Sequence, residues 1–251
     1  MTLDVITAAR RRTRRRLAAV LAGAGVLAAV LVVVVYPAAR YAHTDRPVPP
    51  PSTSDSLRPA ASVSAGGAVL PADVTWTRLA GVDLPGSTAT GPTELLGGLA
   101  RGFTHSPGGA VAAALHLLVR TTAQVGPVVF EPTLADQVVG PHADAMRHAV
   151  ADTYTETAAR TGVTYGQPLG DLPAALAGVR VDAYGDDRAT MSVLTSALDA
   201  TGVTRHAATT VTVSWVRGDW RLLAPPDGRW DSQVLLVDPD RVGDYPPLRA
   251  R

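Results

Sequence analysis

Leu17 to Tyr36 reads LAAVLAGAGVLAAVLVVVVY, twenty residues without one charge. As a helix rising about 1.5 Å per residue it is about 30 Å long, the thickness of a hydrocarbon core. Its four leucines and seven valines each favour insertion by about 0.3–0.6 kcal/mol near the bilayer centre. Six arginines stand just ahead of it, at Arg10, Arg11, Arg12, Arg14, Arg15 and Arg16. Such a positive block stays on the cytoplasmic side. The pattern predicts a cytoplasmic basic tail over 1–16, a transmembrane helix over 17–36, and everything after Tyr36 outside the cell membrane.

A cleaved signal peptide is the rival reading. Its apolar region would be about 7–15 residues and would leave through a small-x-small site. Here the run is longer and leaves through YPAARYAH, with Pro37 and Arg40 in the way. The arginines form a broad cluster, not the single pair of a twin-arginine signal. Ala19/Gly23 and Gly25/Ala29 place small residues four apart, a spacing that lets membrane helices approach closely. A homo-oligomer through the anchor is one reading of it, and a lipid-facing helix is the plainer one.

The charge split narrows the partners. Residues 1–16 carry a net +5, and the remainder a net −4. A nucleic-acid-binding domain needs a basic face, and no run beyond the tail supplies one, so no direct nucleic acid binding is expected. The tail reads as a topology signal ahead of the membrane lipid bilayer. The chain has no cysteine, which excludes a disulfide framework and thiolate metal sites. It also lacks lysine and asparagine and holds one isoleucine, Ile6. All three favour A/T-rich codons, so the bias indicates a GC-rich genome.

Residues 37–72 mix seven prolines with serine, threonine, alanine and glycine. That composition favours extended or coil states and reads as a disordered tether. Residues 73–247 suffice for one extracytoplasmic domain. VTWTRLAGVDLP opens it as a strand, with Trp76 a core or rim anchor. Ser106 caps a helix, Pro107 fits its first position, and Ala110 to Ala123 is apolar nearly all round, hence well buried. A short helical turn is expected around Leu134 to Val139. A second helix spans Ala143 to Thr161, with Met146, Val150, Tyr154 and Ala158 along one stripe and Gly162 as its stop. The period then changes to two. Gly178–Tyr184, Arg188–Leu198, Ala207–Val216 and Trp220–Pro225 read as successive antiparallel strands. Helices followed by a curved antiparallel meander define an α+β domain with helices packed on one sheet face.

Three phrases go further: GFTHSPGGAVAAALHLLVRT (Gly102 to Thr121), VVFEPTLADQVVG (Val128 to Gly140) and VSWVRGDWRLLAPPDGRW (Val213 to Trp230). With the tail, anchor and linker, they resemble single-pass scaffold subunits of conjugative, type IV secretion-like machines, actinobacterial ones included. The resemblance covers roughly Val74 to Tyr245. It implies a cone-like outer domain of the nuclear transport factor 2 kind. It also implies contacts with itself and with other subunits of a membrane-spanning complex, and no catalysis. Two other classes stay open: an accessory membrane protein of a lipid-import system, and a small-ligand-binding or enzymatic cone.

No catalytic, cofactor-binding or metal-binding residue is assigned. His142 and His148 lie six apart, off a common helical face, and His105, His116 and His206 have no carboxylate cluster in sequence. No Gly-x-Ser-x-Gly phrase, phosphate loop or dinucleotide fingerprint occurs. Tyr154, Tyr184 and Asp182 are the only set that suggests an isomerase-like pocket, and Tyr154 reads better as a core ring hydrogen-bonded at the rim. Arg217-Gly218-Asp219 spells an adhesion tripeptide but sits where a hairpin must turn.

Overall fold

A computed structural model describes residues 70–249. The predicted tail, transmembrane helix and nearly all of the predicted linker lie outside the described residues. Among the described residues, no helix is long and apolar enough to cross a membrane. Leu70, the first of the described residues, and Leu248, near the last, are both buried in the core.

The central element is helix α1. In front of it come two short hairpins, β1 (Thr75–Leu79) with β2 (Val82–Gly86), and β3 (Glu94–Leu96) with β4 (Leu99–Arg101). Helix α1 (Pro107–Arg120) starts as the sequence predicts: the Ser106 hydroxyl accepts the Gly109 N–H at 3.1 Å, and Pro107 takes the first position. Twelve of its fourteen residues are buried. An apolar helix of this kind must be covered all round. The sheet covers one side, and β2 and β4 lie against the other.

Helix α2 (Pro127–Asp136) and the two-residue strand β5 (Val138–Val139) follow, then helix α3 (Ala143–Thr161). In α3 the stripe Met146, Val150, Tyr154 and Ala158 is buried as predicted. Gly162 ends it in the left-handed region, φ 73°, with its N–H on the Ala158 carbonyl at 2.8 Å. The large sheet then forms from β6 (Ala175–Tyr184), β7 (Arg188–Leu198), β8 (Thr204–Val216) and β9 (Asp219–Leu223), with β10 (Val234–Val237) added last. Its order is β5-β9-β8-β7-β6. β8 pairs β7 along its length and is long enough to serve two further partners: Val213–Val216 pair with β9, and His206–Thr209 with β10. Trp220, Phe130, Tyr154, Leu134, Met146 and Met191 fill the space between helices and sheet, each almost fully buried. A second, smaller apolar cluster (Leu194, Ala208 and Tyr245, packed by Val237 and Val242) lies apart from this core.

The α+β class with helices on a curved sheet stands, and four local expectations change. The opening strand is a hairpin, because Ala80 and Gly81 both take positive φ (45° and 79°), the geometry of a tight two-residue turn. The second hairpin, unread in sequence, turns the same way at Gly97 and Gly98. The short turn expected near Leu134 is a ten-residue helix with Pro132 inside it. Finally, the sheet is mixed: β5 runs parallel to β9, Val138 facing Leu222.

Arg217-Gly218 is a turn, both residues at positive φ (54° and 80°). Asp219 is turned inward from it. Its carboxylate accepts the N–H groups of Gly102 (3.0 Å) and Phe103 (3.1 Å), while the Trp220 indole N–H donates to Thr104 O at 2.9 Å. The start of β9 thereby holds the chain that leads into α1. Asp219→Ala strands those partly buried donors, and each such group costs about 1–3 kcal/mol. The expected loss is about 2–3 kcal/mol, measured as a lower urea midpoint with an unchanged slope.

Candidate interaction surface

The histidines weighed in sequence are scattered. His105 is exposed, its ring stacked on Trp215 with centroids 4.1 Å apart and its Nε2 on the Asp186 carbonyl. Among the described residues, no three His, Asp or Glu side chains come close enough to share a metal ion. Tyr154, Tyr184 and Asp182 do not converge. The Tyr154 hydroxyl donates to Gln167 O at 2.9 Å and accepts the Gly166 N–H at 3.0 Å, the predicted role of a core ring tied at the rim. Tyr184 packs on Trp220, and burial pushes its hydroxyl pKa up. Asp182 is committed to Arg180 (2.7 Å) and Ser192 (2.6 Å).

Two polar groups lie within α1, and both explain the hairpins above it. His116 is 1% exposed, and its Nε2 donates to Pro85 O on β2 at 2.8 Å. Burial, with a smaller contribution from Arg120, lowers its pKa to about 4, so the ring is neutral. The bare Nδ1 has no partner, a smaller penalty than a stranded N–H would be. Arg120, in the last turn of α1, donates to Gly98 O at 2.7 Å at the tip of the second hairpin, and Thr133 reaches the same carbonyl at 3.4 Å. Burial lowers its pKa to about 10, which leaves it charged at neutral pH, where the helix C-terminus favours a cation. Gly98 must be glycine: at φ 82° it lies on the Val128 carbonyl, with no room for a Cβ.

What the interior does not use, the rim exposes. Leu95 and Leu96 on β3 and Val128 on α2 stand in solvent, Leu96 at 69% and Val128 at 67%. Tyr165 is exposed as well, its hydroxyl on the carboxylate of Glu131 in α2, which pushes its pKa up. A second set lies on the large sheet. Leu198 and Val203 flank the β7–β8 turn, and Leu235 and Leu236 lie on β10, all exposed. An open depression of about 350 Å³ adjoins Leu198, lined also by Leu172, Pro173, Ala174 and Ala197. The sequence patterns had not singled out these exposed side chains, since strand β10 and the β3–β4 hairpin were unread.

These features define an α+β domain in which, among the described residues, three α-helices pack on a mixed sheet and large leucines stand exposed at the rim. The chain belongs to the family described as "Domain of unknown function (DUF8175)", which matches residues 38–237. No curated protein and no solved structure matches it.

The neutral His116 gives a pH signature. The folded chain resists protonating it until about pH 4, whereas the unfolded chain takes the proton near 6.5. Between those values the unfolded state binds more protons, so stability falls as pH falls, and below about 4 this contribution is complete. At about 1.4 kcal/mol per unit the loss is on the order of 3 kcal/mol. Urea denaturation at pH 7 and 4.5 should show it, and His116→Gln, which keeps a donor for Pro85, should flatten the difference.

Proposed function

We propose that this protein is a non-catalytic, single-pass scaffold subunit of a conjugative DNA-transfer or secretion apparatus, working through protein–protein contacts of its outer domain. The observation that carries the reading is the division within the folded part. Trp220, Tyr154, Phe130 and Met191 fill the interior, while Leu96, Val128, Leu198 and Leu235 stand in solvent. A filled interior suits a part that is contacted on its surface better than one that admits a small ligand. The apolar block over 17–36 behind its arginines supports an anchor with the N-terminus cytoplasmic. The family match begins at residue 38, just past that block, so the shared unit starts where the predicted anchor stops. Helices on a curved sheet support a cone of the nuclear transport factor 2 kind.

Deleting the gene from a donor strain tests the reading. DNA transfer is expected to collapse and to return with the intact gene. Complementation with Leu235→Asp/Leu236→Asp is expected to leave the chain folded and membrane-bound but to lower transfer at least tenfold. Unimpaired transfer after deletion rejects the proposal.

A further inference from the structure

Strand β6 is the last strand of the sheet, and its outer edge is taken by a segment of the same chain. After β10 the chain passes through a 3-10 turn (Pro239–Asp244) and runs Tyr245-Pro246-Pro247-Leu248-Arg249 beside β6. The backbone pairing is short and antiparallel. Val179 N–H donates to Pro246 O at 3.0 Å, and Leu248 N–H donates to Ala177 O at 3.4 Å, about a single bridge between Gly178 and Pro247. Side chains anchor it more firmly. Tyr245 and Leu248 are buried, and the Arg180 guanidinium lies 4.9 Å over the Tyr245 ring. Arg249 sits 4.2 Å over Trp76 and bonds Asp83 at 2.8 Å. The edge is shaped for this occupant. A Cβ on Gly178 would come within 2.9 Å of the carbonyls of both Tyr245 and Pro246.

We propose that the β6 edge, with Trp76 and Asp83 beside it, is a peptide-docking groove, and that its occupant in assemblies is the 245–249 segment of a second copy of this chain. The groove fits an aromatic-Pro-Pro-Leu-Arg peptide because it already holds one. The prolines remove two N–H donors, so few backbone bonds resist release. Gly243 lies in the 3-10 turn just ahead of the segment, with open space where a side chain would stand, so that turn can rearrange without a clash there. The family match stops at residue 237, before the segment. Exchange of an identical element is a low-cost route to an oligomer. The inference does not rest on the conjugation reading.

Two variants of the full chain in detergent test it. Tyr245→Ala/Leu248→Ala leaves the groove intact but disables the segment. Gly178→Val closes the groove but leaves the segment intact. Each alone is expected to sediment as a monomer at concentrations where the unaltered chain associates, and an equimolar mixture to form a heterodimer. A labelled peptide of Asp244–Arg249 should bind the Tyr245→Ala/Leu248→Ala chain at least tenfold more tightly than the unaltered chain. Folded variants that form no heterodimer overturn the proposal. If either variant fails to fold, amide exchange of the unaltered chain decides. Val179 N–H exchanging well before the β7 amides supports a segment that lifts, and equal protection of both overturns it.

Discussion

The burial of α1 on all sides is the constraint from which the rest of the domain follows. A helix with alanines at Ala112, Ala113 and Ala114 and leucines at Leu115, Leu117 and Leu118 cannot leave a face in water. The sheet supplies one wall. The two N-terminal hairpins exist to supply the other, and they do so through polar atoms as well as apolar ones. His116 and Arg120 enter the interior with the helix, and carbonyls at Pro85 and Gly98 receive their N–H groups. Buried polar groups must be paired, so the hairpins are held in register with the helix by the groups that would otherwise oppose its burial.

The same logic links distant parts of the chain. Asp219 at the β8–β9 turn accepts N–H groups from residues more than a hundred positions earlier. Arg249 closes the circuit from the other end onto Asp83 and Trp76. The hairpins, α1 and the sheet edge are thus tied at both ends of the described chain. Leu96, Leu198 and Leu235, at a hairpin tip, a strand end and on β10, keep their side chains in solvent.

Strong periodicity was legible in the sequence. Helix α3 and strand β7 occupy the stretches their patterns predict, and the Ser106-Pro107 start of α1 is as read. Each of these depends on neighbours within a few residues. Helix α2 was obscured because Pro132 looks like a breaker; in mid-helix it removes the bond to the Val128 carbonyl, which lies against Gly98 instead. Strand β10 was illegible because its four residues are a strand only in the presence of β8. Of the rim surface, neither Leu96 nor Leu235 could be distinguished from a core leucine by sequence, since exposure depends on which neighbours the fold brings.

The sequence by itself determined the separation of charge, the apolar block over 17–36, the order of helices before the β6–β9 meander, and the caps and turns that delimit them. Those are properties of adjacent residues. The tertiary structure alone decided that β5 joins parallel to β9, that His116 stays neutral, that Asp219 faces inward, and that the 245–249 segment takes the β6 edge. Each of these joins groups far apart in the chain, and its energy exists only once folding removes them from water together.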